Sequence, residues 1–268
     1  MAAGNHRRSA SKRKISPLVV CCVLLPCVAH GQAGPGQPDK VANAISQVES
    51  GNFTMAAVDQ IARAHAVQAI PVLEKQFVVA SEEANLKGKI ASALVRLGDN
   101  NNVYWNYLVE QATEAIHSDL PLPIAYDSNG TPLRGQMPPE LIAWANAHNV
   151  SPESAGESAL FLLPGKMTFL ASTGDPRGVP LLRQALQSPN SLIVAMAAKG
   201  LALIQDKPSI PLIIAACKRP YPDESETIAQ SLIYFDDADA QSAADLYLPK
   251  EFARSLREAR AKGRTPFY

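Results

Sequence analysis

Past its first thirty residues this chain has almost no cysteine. Cys21, Cys22 and Cys27 sit near the N-terminus, and Cys217 stands alone further on. One thiol cannot close an internal disulfide. Beyond residue 33 the histidines His65, His117 and His148 are scattered, no two at metal-ligand spacing on one helix, so no metal set is expected. No phosphate-cradling glycine-rich loop and no dinucleotide fingerprint occurs, so no cofactor is expected either. Gly156-Glu157-Ser158-Ala159-Leu160 lacks the second glycine of a nucleophile elbow and lies in helical sequence. Asp236-Asp237-Ala238-Asp239 lacks the glycine and the distant glutamate of a calcium loop and reads as a helix cap. These absences point away from an enzyme. Aromatic residues are scarce at 6% while alanine and leucine abound, which favours helix packed on helix over strands.

What the N-terminus holds is distinct from the rest. Arg7, Arg8, Lys12, Arg13 and Lys14 form a basic stretch without an acid, an apolar run follows from Ile15 to Ala29, and Gly31-Gln32-Ala33 supplies small residues. That order is the pattern of a secretory signal peptide over residues 1–33, cleaved near Ala33. The run is short against the ~20 residues of a bilayer span, so no stable membrane span is expected after its removal, and the product is expected in the periplasm or outside the cell. Without the leader's five basic side chains, 20 Lys and Arg face 25 Asp and Glu, a net charge of about −5. A mildly acidic surface does not suit phosphate contacts, so nucleic acid is not an expected partner.

The remaining chain repeats itself. Asp175-Pro176-Arg177-Gly178-Val179-Pro180-Leu181-Leu182 aligns with Asp206-Lys207-Pro208-Ser209-Ile210-Pro211-Leu212-Ile213 at an offset of 31 residues. Ala69-Ile70-Pro71-Val72-Leu73 is a further near copy, Gly98-Asp99 before Val103 a looser one, and Asp236 or Asp237 before Ala240 a degenerate one. Each clear copy is followed by a second apolar stripe: Leu86, Ile90, Leu94 and Leu97, then Ile193, Ala197, Leu201 and Ile204, both spaced 4, 4 and 3. Two helices per ~30 residues, with proline in the first turn of the leading helix, predict an α-solenoid. The aspartate is placed to cap the leading helix.

Gly174 to Cys217, through Asp175-Pro176-Arg177, Val179-Pro180, Leu182, Ala185-Leu186, Ala197-Ala198 and Leu201, resembles HEAT-like repeats of the short type also found in phycobilisome lyases. The resemblance extends over about residues 62–110 and 172–248. It implies an all-α, right-handed solenoid of helix-pair repeats and a scaffold or binding role; lyase activity is not a property of the repeat. The expected organisation is a leader over 1–33, a linker over 34–39, N-terminal repeats over 40–111, an insertion over 112–152, C-terminal repeats over 153–248, and a basic capping helix and tail over 249–268. Roughly four to five helix pairs are expected.

The insertion departs from the repeat. Asn129-Gly130 reads as a tight turn, with a small hairpin possible around it; Pro138-Pro139-Glu140 starts a helix; and helical sequence from about Glu153 to Ala171 is expected to break at Pro164-Gly165. Tyr126, Asp127, Asn129, Arg134 and Trp144 answer no packing need of a repeat, and with Tyr104 and Trp105 they are the candidate partner-binding residues. The leading expectation is a non-catalytic scaffold for a protein or peptide. Two alternatives stand beside it: a hydrolase or transferase using the acids Glu114, Asp119, Asp127 and Glu140 around the insertion, and a structural subunit of an envelope complex. Lys250, Arg254, Arg257, Arg260, Lys262 and Arg264 crowd the last helix, as a solubilising cap or as a site for an anionic partner.

Overall fold

A computed structural model of the protein describes residues 38–51, 53–81, 85–122, 124, 136–219 and 225–267. The expected leader and the Asn129-Gly130 turn lie outside them. Among the described residues the regular structure is helical throughout, without a strand.

The helices form where apolar side chains recur at 3.6-residue spacing and where a polar side chain or a proline sits at the start. Helices α1 (Pro38–Glu49) and α2 (Met55–Arg63) come first, α2 capped by Thr54, whose hydroxyl accepts from Ala57 N at 3.3 Å. Then follow α3 (Ile70–Val79), α4 (Leu86–Arg96) and α5 (Asn102–His117), α3 with Pro71 in its first turn. After the insertion's α6 (Pro139–Ala147) and α7 (Pro152–Glu157) come α8 (Leu163–Ala171), α9 (Val179–Ala185) and α10 (Ser191–Ile204). The chain ends with α11 (Ile210–Cys217), α12 (Ser225–Ala229), the 3-10 turn Gln230–Tyr234, α13 (Ala238–Tyr247) and α14 (Lys250–Ala261).

Packing pairs these elements: α1 with α2, α3 with α4, α5 with α8, α9 with α10, α11 with α12, and α13 with α14. The second members α2, α4, α8, α10, the turn Gln230–Tyr234 and α14 touch one another in succession, and α1 touches α3, α5 touches α9 and α11 touches α13. The arrangement is solenoid-like, with six pairs among the described residues. The pair beyond the five copies read in the sequence is α1/α2, which lack the Asp-Pro signature; α13 follows the degenerate copy, and α14, which reads in the sequence as a cap, completes its pair. Leu94, Leu108, Leu170, Leu182, Ile193, Leu201, Ile213 and Leu232 are fully buried between the layers. Each such side chain contributes about 1.5–3 kcal/mol relative to exposure.

Three local expectations differ from the structure. α5 continues to His117, six residues into the segment read as an insertion. The helix before α8 does not break at Pro164. Proline lacks an N–H and its ring collides with the carbonyl four residues back, and the chain widens instead into a π turn, Ser158–Leu162, in which Leu163 N donates to Ser158 O. Buried Asn190 caps α10 through Leu192 N and Ile193 N, and its amide donates to Ala159 O of that turn at 3.1 Å. The aspartates do not all cap. Asp175 accepts from Arg177 N and Asp237 from Asp239 N and Ala240 N, but Asp206 turns away from its helix start to Arg183 of α9. Asp236, the other candidate in the last copy, pairs with Arg260.

Candidate functional site

The aromatic set on α5 divides into core and surface. Tyr104 is buried, its ring edge-on to Phe77 at 4.9 Å, and its hydroxyl donates to Glu74 Oε1 at 3.4 Å. Burial, helped by the charge of Glu74, raises its phenol above the usual range. It is a packing residue, offering little to a partner. Tyr107 meets Phe77 at 5.4 Å, and Lys87 lies over both rings. Trp105 is half-buried and carries the guanidinium of Arg177 at 4.3 Å from its ring centroid. Arg177 is itself held by Asp175, Nε to Oδ1 at 3.1 Å and the terminal nitrogen to Oδ2 at 2.6 Å. That pair holds the Asp175 carboxyl below its ordinary value. An aromatic–cation–carboxylate stack therefore bridges α5 to the turn that opens α9.

Trp144 lies on α6 and is anchored from both sides. Its indole N–H donates to Asp119 Oδ1 at 2.8 Å, and His148 stacks on its ring at 3.9 Å with 16° between planes. Leu141 and Ala145 of the same helix are fully buried, as is most of Leu120 at the exit of α5. The described ends of the insertion are thus packed into the helical stack. Tyr126, Asp127, Asn129 and Arg134 lie outside the described residues. Of the acids weighed for catalysis, Asp119 receives the Trp144 indole and Glu114 pairs with Lys166 at 2.6 Å.

The basic α14 is largely engaged inside the molecule. Arg257 donates to Asp245 at 2.8 Å and to Gln241, and Arg254 meets Glu251 and Glu258. Arg260 donates to the carbonyls of Ile233 at 2.9 Å and Phe235 at 3.0 Å and pairs with Asp236. Those carbonyls end the 3-10 turn, where no backbone donor follows, so the arginine fastens the last pair to the one before it.

One groove was not foreseen in the sequence. About 440 Å³ in volume, it runs between α11 and the start of α13 and is lined by Lys207, Ile210, Pro211, Ile214, Ala215, Lys218, Asp237 and Asp239. In the sequence Asp237 reads as a cap, and the signal for the groove lies in comparing residues 31 apart. Cys217, the last residue of α11, is buried, and burial pushes its thiol up to about 12, so it stays protonated at neutral pH. Among the described residues no group of three His, Cys, Asp or Glu side chains is arranged to hold a metal ion, and no helix is long and apolar enough to cross a membrane.

No curated protein and no solved structure matches the chain. Residues 168–233, from α8 through α9, α10 and α11 into the turn Gln230–Tyr234, match the family model for HEAT repeats, which supports HEAT-like repeats over that stretch.

Proposed function

We propose that the chain from Gly34 onward is a non-catalytic scaffold that binds a protein or peptide in the periplasm or the secreted space. In this reading the helix pairs form one right-handed α-solenoid, its N-terminal repeats over 40–111 and C-terminal repeats over 153–248 flanking the insertion. HEAT repeats commonly serve as interaction scaffolds, and the basic, apolar, small-residue order of residues 1–33 supports export.

The observation that carries the reading is the manner in which the insertion is mounted. It leaves the stack after α5 and returns through α6, whose Leu141 and Ala145 are fully buried and whose Trp144 is bonded to Asp119. Flanking helices packed into the stack hold the two ends of the insertion, which lowers the entropic cost of binding through it. Tyr126, Asp127, Asn129 and Arg134 belong to the insertion by sequence, and Trp144 and Trp105 lie on the described α6 and α5.

The test replaces Leu122–Gln136 by a short Gly/Ser linker and compares both proteins as bait in the native envelope fraction. The shortened protein should melt within a few degrees of the parent, because loop-closure entropy varies slowly with length, about 0.6 kcal/mol per doubling. It should also lose the partner. Retention of every native partner at parental affinity would show the insertion to be mere decoration.

A further inference from the structure

The 31-residue repeat allows each junction between pairs to be compared with the next. Between α9 and α11, Arg183 reaches across the junction. Its Nε lies 3.0 Å from Asp206 Oδ2 and 3.0 Å from Ser209 Oγ, and its terminal nitrogen lies 2.8 Å from Asp206 Oδ1. Ser209 also donates to Asp206. The clasp is a guanidinium laid over the junction and held at both ends of a carboxylate, a charge-assisted fork. Adding 31 to each member gives Ile214, Asp237 and Ala240. The carboxylate is kept, but the arginine and the serine are gone.

The space the arginine would fill is the groove between α11 and α13, with Ile214 and Asp237 both in its lining. Asp237 turns one oxygen, Oδ1, to Asp239 N at 3.0 Å and Ala240 N at 3.1 Å. Its Oδ2 takes no hydrogen bond among the described residues. Ile210, Pro211 and Ile214 offer the apolar contact that an arginine's three methylenes need. At the two ends of α11, Lys207 and Lys218 meet no carboxylate among the described residues and would receive one from the occupant.

We infer that this groove docks an arginine side chain of a partner polypeptide, which takes up in trans the position Arg183 occupies in cis one junction earlier. The guanidinium lies against Asp237 and Asp239, its stem crosses Ile210 and Ile214, and a carboxylate beside the arginine in the partner reaches Lys207 or Lys218. The surface is separate from the insertion between α5 and α8, although it shares with the proposed function the premise of a binding protein.

The probe is a labelled, acetylated and amidated pentapeptide, Ala-Leu-Arg-Glu-Ala, titrated into the chain from Gly34 onward and followed by fluorescence polarisation. Its control carries citrulline, neutral and of the same shape, in place of arginine. Loss of one charge-assisted pair should weaken binding roughly tenfold or more, so the citrulline peptide should bind that much less tightly. Asp237→Asn should have a similar effect without unfolding α13, since asparagine caps a helix as well as aspartate. Ile214→Arg should close the groove from within, raise the melting temperature and abolish binding. The protein shortened over Leu122–Gln136 should bind the peptide as the parent does, so this surface and the insertion succeed or fail separately. Equal affinity for the arginine and citrulline peptides, undiminished binding to Ile214→Arg, or no binding to the parent at millimolar peptide would each overturn the inference.

Discussion

Gly200 shows how closely a single position is held. It lies on α10 where that helix crosses α8, and a Cβ there would stand 2.8 Å from the Cβ and 3.0 Å from the Cα of Ala171. A backbone atom cannot swing aside, so Gly200→Ala should cost about 1–3 kcal/mol from overpacking, more than the ~1 kcal/mol gained in helix propensity. Urea unfolding checks the sign, and a stabilised variant would mean that α8 and α10 can separate freely. A Cβ on Gly88 would stand 2.5 Å from the ring of Phe169, but a ring can shift, and substitution there should be the milder one. At this scale the sequence is legible in part. The burial of Leu201 follows from its place in the 4, 4, 3 series. The burial of Tyr104 does not, because periodicity names a helix face without saying which of its aromatics meets Phe77. The partner of Asp206 is likewise hidden, since Arg183 is a sequence stranger brought near only by the stacking of α9 on the next turn.

Among the elements, the turn Pro176–Gly178 that opens α9 joins charge to an optical signal. Asp175 has its carboxyl lowered by Arg177, and Arg177 lies over Trp105. A carboxyl depressed in the folded state adds stability that is present above its unfolded value and lost as the pH falls through the folded one. The expected outcome is that, in a Trp144→Phe background that leaves Trp105 as sole tryptophan, emission is constant near neutrality and changes only below the ordinary carboxylate range. Asp175→Asn, which keeps the cap and removes the charge, should abolish that acid transition while altering stability little, because Arg177 is half exposed and an exposed pair contributes about 0–1 kcal/mol. A transition unchanged in the asparagine variant would assign it to another carboxylate. The helices themselves were readable from their stripes, caps and prolines. The π turn at Ser158–Leu162 was not, because proline signals a break in a helix without telling whether the chain kinks or widens.

For the whole molecule, the repeat of 31 residues revealed the two-helix layering, and its interruption located the insertion. It did not reveal the groove, which lies at the junction where isoleucine and alanine stand in place of the arginine and serine of the one before. That difference has a mechanical consequence. At the last junction α14 and α13 are laced to the turn Gln230–Tyr234 and its exit by Arg260 and Gln241, whereas among the described residues the α11 side has no counterpart of the Arg183 clasp. A joint fastened along one edge and open along the other swings like a door, and the terminal pair should rotate about its laced edge. Gln184, Ala215 and Leu246 are exposed, spaced 31 apart, and mark successive leading helices. Spin labels on neighbouring members of this series stand roughly 10 Å apart, the distance between packed helices, within reach of dipolar line broadening. The spread of distances should be wider between 215 and 246 than between 184 and 215, and Ile214→Arg should narrow it. Equal widths at both junctions would mean that the door is shut by packing alone.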